Sequence, residues 1–119
     1  MTEITGLDRV KKAIDEAVRK KHLAIMLYLD RNIVLATPKD TGRAQGNWIA
    51  SISSPSKVVK ETTKKENNKP TIATIKPYST SFFSNNLPYI RRLNYGWSKQ
   101  NKMINWIGFI AKKAAKNAR

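Results

Sequence analysis

Apolar residues recur every three or four positions between residues 6 and 36, which predicts one long amphipathic helix. These positions are Val10, Ile14, Ala17, Val18, Ile25, Tyr28, Leu29, Ile33 and Ala36. Pro38 predicts the end of the helix, because a residue that precedes proline disfavours helical backbone angles. Within 23–29 the polar face disappears, and a helix that is apolar all round is buried all round. We therefore expect this stretch to be covered by its own core or by a neighbouring subunit, with Met26 and Leu27 as candidate interface residues.

Short strands are predicted in the middle of the chain, where apolar residues alternate with small polar ones. They are expected at 48–53, 71–75 and 81–84. The charged run 60–70 separates the first two and is predicted to be a flexible loop or hairpin tip without core residues. Strands on both sides of one loop favour antiparallel pairing over a parallel crossover.

Two further helices are predicted in the last third of the chain. Asn85-Asn86-Leu87-Pro88 is a typical helix start and Gly96 a typical stop, with an apolar side formed by Tyr89, Ile90 and Leu93. From about 102 to 117 helical spacing returns, with Met103, Trp106, Ile107, Ile110 and Ala114 on the apolar side and Lys102, Lys112, Lys113 and Lys116 opposite. The predicted fold class is α+β: a long N-terminal helix and a C-terminal helix packed on a small antiparallel β-sheet.

Composition supports a single folded domain over residues 1–119. The chain has 119 residues, of which 40% are hydrophobic, enough to form one core. The absence of cysteine excludes disulfides and thiolate chemistry. The longest apolar run has seven residues, whereas a membrane span needs about 20. Since the N-terminus also lacks a signal-peptide pattern, we expect a soluble, cytoplasmic protein.

Charge points to a negatively charged partner. The net charge is +15, and residues 68–119 hold ten basic residues and no acidic one. Such a bias indicates contact with nucleic acid, an anionic membrane or an acidic protein surface. Aromatic residues alternate with cations over 89–99, as in single-strand-binding proteins, although core packing of the same aromatic residues explains the pattern equally well. The C-terminal helix is too short and too alanine-rich to favour a membrane.

Catalytic constellations are missing from the sequence. Asp15 and Glu16 are adjacent, so on a helix they point about 100° apart and cannot flank one substrate bond. His22 follows two lysines and is expected on a solvated helix face. Gly42 and Gly46 do not have the spacing of a phosphate-binding loop. We expect neither enzymatic activity nor a cofactor or metal.

Two stretches nevertheless carry motifs. Residues 37–48 spell T-P-K-D-T-G-R-A-Q-G-N-W, and residues 85–100 spell N-N-L-P-Y-I-R-R-L-N-Y-G-W-S-K-Q. They resemble the patterns T-P-x-D-T-G-R-A…N-W and N-N-x-P-Y-A-x-x-L-E-Y-G-x-S-x-Q of the head–tail joining proteins of long-tailed bacteriophages. This family comprises neck, tail-completion and tail-terminator proteins, and the order and separation of the motifs match as well.

The motif positions are expected either to hold the fold or to form interfaces. They are Asp40, Thr41, Gly42, Arg43, Asn47, Trp48, Asn86, Pro88, Tyr89, Arg92, Leu93, Tyr95, Gly96, Trp97 and Ser98. Asp40 or Thr41 is expected to cap a turn, Gly42 to allow tight backbone geometry and Arg43 to pair with an acidic neighbour.

The chain departs from the family pattern in its second motif. Asn94 stands where the family usually has Glu, and Ile90 where it has Ala. A shorter segment, 101–103, replaces the Pro- and Gly-containing one that normally follows. Loss of the acid removes a possible ion pair at that position, and the shorter segment allows the last helix to begin earlier.

The resemblance implies a structural virion protein at the head–tail interface. Copies would form a ring, expected to be hexameric, that terminates or completes the tail and joins it to the head connector. Its partners would be other copies, a head-closure or adaptor protein, the tail tube protein, and genomic DNA that passes through without sequence-specific binding. The protein would lie in the virion, and in the host cytoplasm during assembly. The alternative is a small basic nucleic-acid-binding protein.

A ring around DNA also predicts where the cations point. A phosphate held by Lys or Arg resists sliding, so basic residues are expected to face away from the channel, toward acidic neighbours or solvent. The residues concerned are Lys99, Lys102, Lys112, Lys113, Lys116 and Arg119. The charged run 60–70 is a second candidate for contacting a neighbouring ring.

Overall fold

The computed structural model describes residues 6–38, 42–95 and 105–117. Within these ranges the chain forms five helices and two strands. They are α1 (Gly6–Ala36), α2 (Arg43–Gly46), β1 (Ile49–Ile52), α3 (Lys69–Ala73), β2 (Ser81–Ser84), α4 (Ile90–Asn94) and α5 (Trp106–Asn117). The α+β prediction is confirmed, with a long N-terminal helix, a C-terminal helix and a small antiparallel sheet.

Helix α1 has the bounds that its periodicity predicts and sets the molecular shape. Its 31 residues span roughly 46 Å at 1.5 Å per residue, in a molecule that measures 60 × 27 × 18 Å. Its C-terminal half packs on the domain through Met26, Ile33 and Val34, which are all buried. In the N-terminal half the rest of the domain does not cover the predicted stripe, where Val10 and Ile14 are 57% and 52% exposed. Periodicity identifies an apolar face without showing how far the rest of the domain extends along it.

The sheet pairs β1 with β2 in antiparallel register, with Ala50 opposite Phe83. The predicted strand at 71–75 is wrong, because those residues lie in and just after α3. Ile72 and Ile75 are both 1% exposed, and two residues three positions apart face the same side in a helix but opposite sides in a strand. Pro70 also occupies the first turn of α3, where proline is tolerated.

Two adjoining clusters form the core. The first lies between α1, β1 and α3, and the second between α1 and α5. Buried members of the first are Met26, Ala50, Ile72 and Ile75. Buried members of the second are Ile33, Val34, Trp48 and Trp106. The predicted apolar side of α5 is confirmed for Trp106, Ile107, Ile110 and Ala114, whereas Met103 and Lys102 lie outside the described residues.

The helix predicted after Asn85-Asn86 begins later than expected. Helix α4 starts at Ile90, and Tyr89 precedes it without a side-chain cap. The Oδ1 atom of Asn85 accepts a hydrogen bond from the backbone N–H of Leu87 instead, so that this asparagine stabilises a turn. The predicted stop at Gly96 lies outside the described residues, and no helix of the described ranges is both long and apolar enough to cross a membrane.

Candidate functional site

The two motifs meet in one region, which we call the motif junction: residues 42–48, 60–64 and 85–87. The Nδ2 group of Asn85 donates a 2.9 Å hydrogen bond to the carbonyl oxygen of Ala44. Nearby, Leu87 is 2% exposed and Ala44 is 4% exposed. Segments that lie about 40 residues apart in the chain therefore share one buried contact region.

Two glycines allow the segment 62–64 to lie directly over α2. Gly42 has φ of +84°, which strains other residues, and a Cβ atom there would lie 3.2 Å from the Thr63 carbonyl oxygen. A Cβ atom on Gly46 would lie 2.8 Å from the Lys64 carbonyl oxygen and 2.9 Å from that of Thr62. The expected tight geometry at Gly42 is confirmed. The cap expected from Asp40 or Thr41 lies outside the described residues.

Asn47 is the central polar residue of the motif junction and is fully buried. Its Nδ2 group donates to the carbonyl oxygens of Arg43 at 2.8 Å and Lys60 at 3.0 Å. Its Oδ1 atom accepts from the backbone N–H of Lys60 at 2.7 Å. The Asn47 carboxamide therefore bonds to both the N–H and the carbonyl oxygen of Lys60, as the backbone of a neighbouring strand would. These bonds hold the start of the 60–64 segment against the end of α2.

The charged run 60–70 is predicted to be a flexible loop, but several of its residues make defined contacts with the domain or with each other. Arg43 Nη2 lies 2.7 Å from Glu61 Oε1, which confirms the acidic neighbour expected for Arg43. Lys60 pairs with Glu66 within the run itself. The prediction that this run holds no core residue is wrong, because Asn68 is 2% exposed.

Asn68 connects three elements, and no sequence signal identifies it. Its Nδ2 group donates to Asp30 Oδ1 on α1 and to the carbonyl oxygen of Trp48, both at 2.9 Å. Its Oδ1 atom accepts from the backbone N–H of Ala50 at the edge of β1. Asparagine in a charged run is typical of exposed loops, so only the tertiary structure reveals this role.

Trp48 links the first motif to both the end of α1 and the sheet. Its Nε1–H donates to Thr37 Oγ1 at 2.8 Å, and that hydroxyl donates to the Ile33 carbonyl oxygen. Its ring stacks on Phe83, with centroids 5.2 Å apart and planes 9° apart. Gln45 Nε2 donates to the Thr37 carbonyl oxygen. Thr37, the first residue of the first motif, therefore joins the end of α1 to Gln45 and Trp48.

Asn94, the main departure from the family pattern, caps helix α5. Its Oδ1 atom accepts from the backbone N–H of Ile107 at 2.9 Å, within the first turn of α5. Beside it, Trp106 Nε1–H donates to the Leu93 carbonyl oxygen at 2.8 Å. Asn94 therefore contributes a contact within the domain, between α4 and α5.

The remaining positions of the second motif lie on or near the surface. Asn86 donates to the Ser56 carbonyl oxygen and is exposed, as are Pro88, Arg92 and Tyr95. Tyr89 and Leu93 are half-buried. Gly96, Trp97, Ser98 and Lys99 lie outside the described residues.

Of the two apolar interface candidates on α1, only Leu27 faces outward. It is 43% exposed, whereas Met26 is 4% exposed and packs in the core with Ala50, Ile72 and Ile75. Met26 is therefore a core residue, which corrects its selection as an interface candidate. Successive helical residues point about 100° apart, so neighbours in the sequence have different environments.

The basic candidates of α5 form an exposed surface. Lys112, Lys113 and Lys116 are exposed and, with Asn117, line a shallow groove beside the ring of Phe109. Lys113 Nζ lies 5.1 Å from the centroid of that ring, within cation–π distance. Lys99, Lys102 and Arg119 lie outside the described residues.

The motif junction works as a structural clamp. Within the described residues, every buried side-chain nitrogen and oxygen has a hydrogen-bond partner. In those same ranges, no three His, Asp or Glu side chains lie close enough together to hold a metal ion.

No protein-family model matches the sequence, and neither a curated protein nor a solved structure matches it.

Proposed function

We propose that this chain is a structural virion protein of the phage head–tail interface, whose copies form a ring around the DNA passage. The observation that carries the proposal is the hydrogen bond from Asn85 to Ala44. It joins the two segments whose residues resemble the head–tail joining family. Because each segment alone would be a weak match, their convergence on one clamp supports treating them as a single inherited unit.

In this proposal the buried positions of the motif junction hold the fold, and contacts with partners fall to exposed surfaces. Asn47, Trp48 and Gly46 are buried in the single chain, where an adjacent protein cannot reach them. Among the exposed surfaces of the described residues, we assign partner contacts to the lysines of α5. In this proposal the ring contacts a head-closure or adaptor protein on one side and the tail tube protein on the other.

The charge of α5 suits such an assembly. Lys112, Lys113 and Lys116 lie on one short helix, and α5 contains no acidic residue. A ring in which every subunit carries +15 needs acidic neighbours or DNA to reduce its self-repulsion. We place these lysines against acidic surfaces of adjoining rings, because cations along the channel would hold the DNA.

Electron microscopy of assembled particles tests this proposal. A genome that lacks this gene should yield filled heads and separate tails, and the supplied wild-type protein should restore joined particles. A ring of density at the neck, present only with the protein, is the expected result. Normal joined particles without the protein would overturn the proposal, as would density for it elsewhere in the virion.

A nucleic-acid-binding protein is the second candidate. Arg91, Arg92 and Tyr95 are exposed together on and after α4, as a stacking and phosphate-binding surface requires. An electrophoretic mobility shift assay at moderate salt separates the two candidates. Tight, saturable binding to short DNA favours this second function, whereas binding that vanishes with salt reflects the net charge alone.

A further inference from the structure

Helix α1 carries a second apolar face, on the side opposite the core. Residues spaced by seven form its first row: Leu7, Ile14, Lys21, Tyr28 and Leu35. Residues three positions after the first four of these form its second row: Val10, Ala17, Ala24 and Arg31. A seven-residue repeat with apolar side chains in two such rows is the pattern by which one helix packs along another. We call these nine residues the α1 seam.

The α1 seam is open along its length in the single chain. Leu7 is 83% exposed, Leu35 is 62% exposed, and Val10 and Ile14 are more than half exposed. Ala17 and Ala24 are also exposed and would let a second helix approach closely. Around the second half of the seam, Ala24, Leu27, Tyr28 and Leu35 line a shallow groove. From Leu7 to Leu35 the seam extends roughly 42 Å at 1.5 Å per residue.

Charges around the α1 seam are all positive. Lys21 and Arg31 lie within it, and Lys11 and Lys20 flank it; all four are exposed. The acidic residues of α1 are Asp8, Asp15, Glu16 and Asp30, which helical geometry places on the other side of the helix. Contacts on that side hold them, since Asp30 accepts from Asn68, Glu16 pairs with Arg19 and Asp15 bonds with Tyr78.

We propose that the α1 seam binds an amphipathic helix of a different protein, with an apolar stripe bordered by Asp and Glu and an acidic residue opposite Lys21. A second copy of α1 fits poorly, because its cationic border would lie against an identical one, and like charges at helix contacts are destabilising. The other described helices of this chain offer no acidic border, since α2 to α5 contain no Asp or Glu. The partner therefore has to supply it.

A synthetic helical peptide tests this inference directly. The probe has four heptads, with Leu in both apolar rows, Glu on both flanks and one central Glu in the first row. Fluorescence anisotropy at physiological salt should show the peptide binding at least about tenfold more tightly than a scrambled peptide of equal composition. Because the seam is a property of α1 alone, the result does not depend on the proposed role at a phage neck.

Protein variants locate the binding. Ile14→Asp and Leu7→Asp should each weaken binding about tenfold or more, because both place a charge in the apolar row without touching the core. Val58→Asp changes an equally exposed apolar residue outside the seam and should leave binding unchanged. Unchanged melting temperatures for all three establish that the fold is intact.

Four outcomes would overturn the inference. Equal binding of the scrambled peptide would mean that charge attraction alone explains the binding. Equal binding of a peptide with Lys flanks would show that the partner needs no acidic border. Sedimentation that shows a dimer dissociated by Ile14→Asp would identify a second copy as the occupant. Binding to anionic vesicles that Ile14→Asp abolishes would identify a lipid surface.

Discussion

The carboxamide of Asn47 replaces a strand pairing with Lys60, bonding to both its backbone N–H and its carbonyl oxygen. The distances are 2.7 Å to the nitrogen and 3.0 Å to the oxygen. The Lys60 N–H thereby stays satisfied next to α2, and the Lys60 carbonyl oxygen accepts from Asn47 and from Arg43 Nε. This contact explains why a charged segment without an apolar residue over 60–66 stays against the domain.

Asn47→Ala should destabilise the protein strongly. It leaves the Lys60 N–H, the Lys60 carbonyl and the Arg43 carbonyl without these bonds, at about 1–3 kcal/mol for each buried group that stays unpaired. Asn86→Ala also removes an asparagine of the motifs, but an exposed one, and should cost less than about 1 kcal/mol. Urea unfolding of both variants measures the difference, and equal costs would contradict the central role of Asn47.

Gly46→Ala should destabilise the motif junction by about 1–3 kcal/mol. The added Cβ would meet two backbone carbonyl oxygens within 2.9 Å, and backbone atoms cannot rotate aside as a flexible side chain can. Gly6→Ala is the comparison, because nothing lies within 4 Å of its Cβ. Thermal unfolding should give a lower Tm for the first variant alone, and an unchanged Tm for Gly46→Ala would contradict the close approach of 62–64.

Met26 and Leu27 should respond differently to the same truncation. Met26→Ala removes a buried side chain from the first core cluster and should cost about 2–5 kcal/mol. Leu27→Ala should cost less than about 1 kcal/mol, because that side chain is 43% exposed. Chemical unfolding tests both, and a large cost at Leu27 would show that the isolated chain already covers it.

Tyr78 should titrate above the usual range for tyrosine. Its hydrogen bond to Asp15 raises its pKa above 10.0, because ionising the phenol would lose that bond beside a carboxylate. The pKa of Tyr78 is higher in the folded than in the unfolded state. The contact therefore stabilises the fold below pH 10, and this stabilisation disappears as the pH rises through the folded-state pKa. Tyrosinate absorbance should show this high transition of Tyr78, absent in Tyr78→Phe and moved toward 10 in Asp15→Asn. A transition that Asp15→Asn leaves in place would contradict the pairing.

Local patterns sufficed for the long helix, which follows from the spacing of apolar residues. The sheet is antiparallel as predicted, but β1 pairs with 81–84 and not with 71–75 across the charged run. Local patterns failed at 71–75, where Thr and Ile favour a strand. Ile72 and Ile75 lie three positions apart in the sequence, so both can enter the core only if the chain turns as a helix does. They failed again at Asn68, because hydrogen bonds to Asp30 and Trp48 depend on how distant segments meet. Within the motifs, only the fold separates the buried positions Gly42, Asn47 and Trp48 from the exposed positions of the second motif.

The lysines of α5 provide the sharpest test of the proposed assembly. The double variant Lys112→Glu with Lys113→Glu should impair head–tail joining while the isolated protein keeps its Tm, because both side chains are exposed. Lys69→Glu with Lys76→Glu makes the same charge change at exposed positions outside α5, and joining should persist. Joining by the wild type should weaken as added salt shortens the Debye length below about 8 Å, since exposed pairs are screened. Salt-independent joining, or full activity of the α5 variant in a particle-joining assay, would contradict the acidic contact.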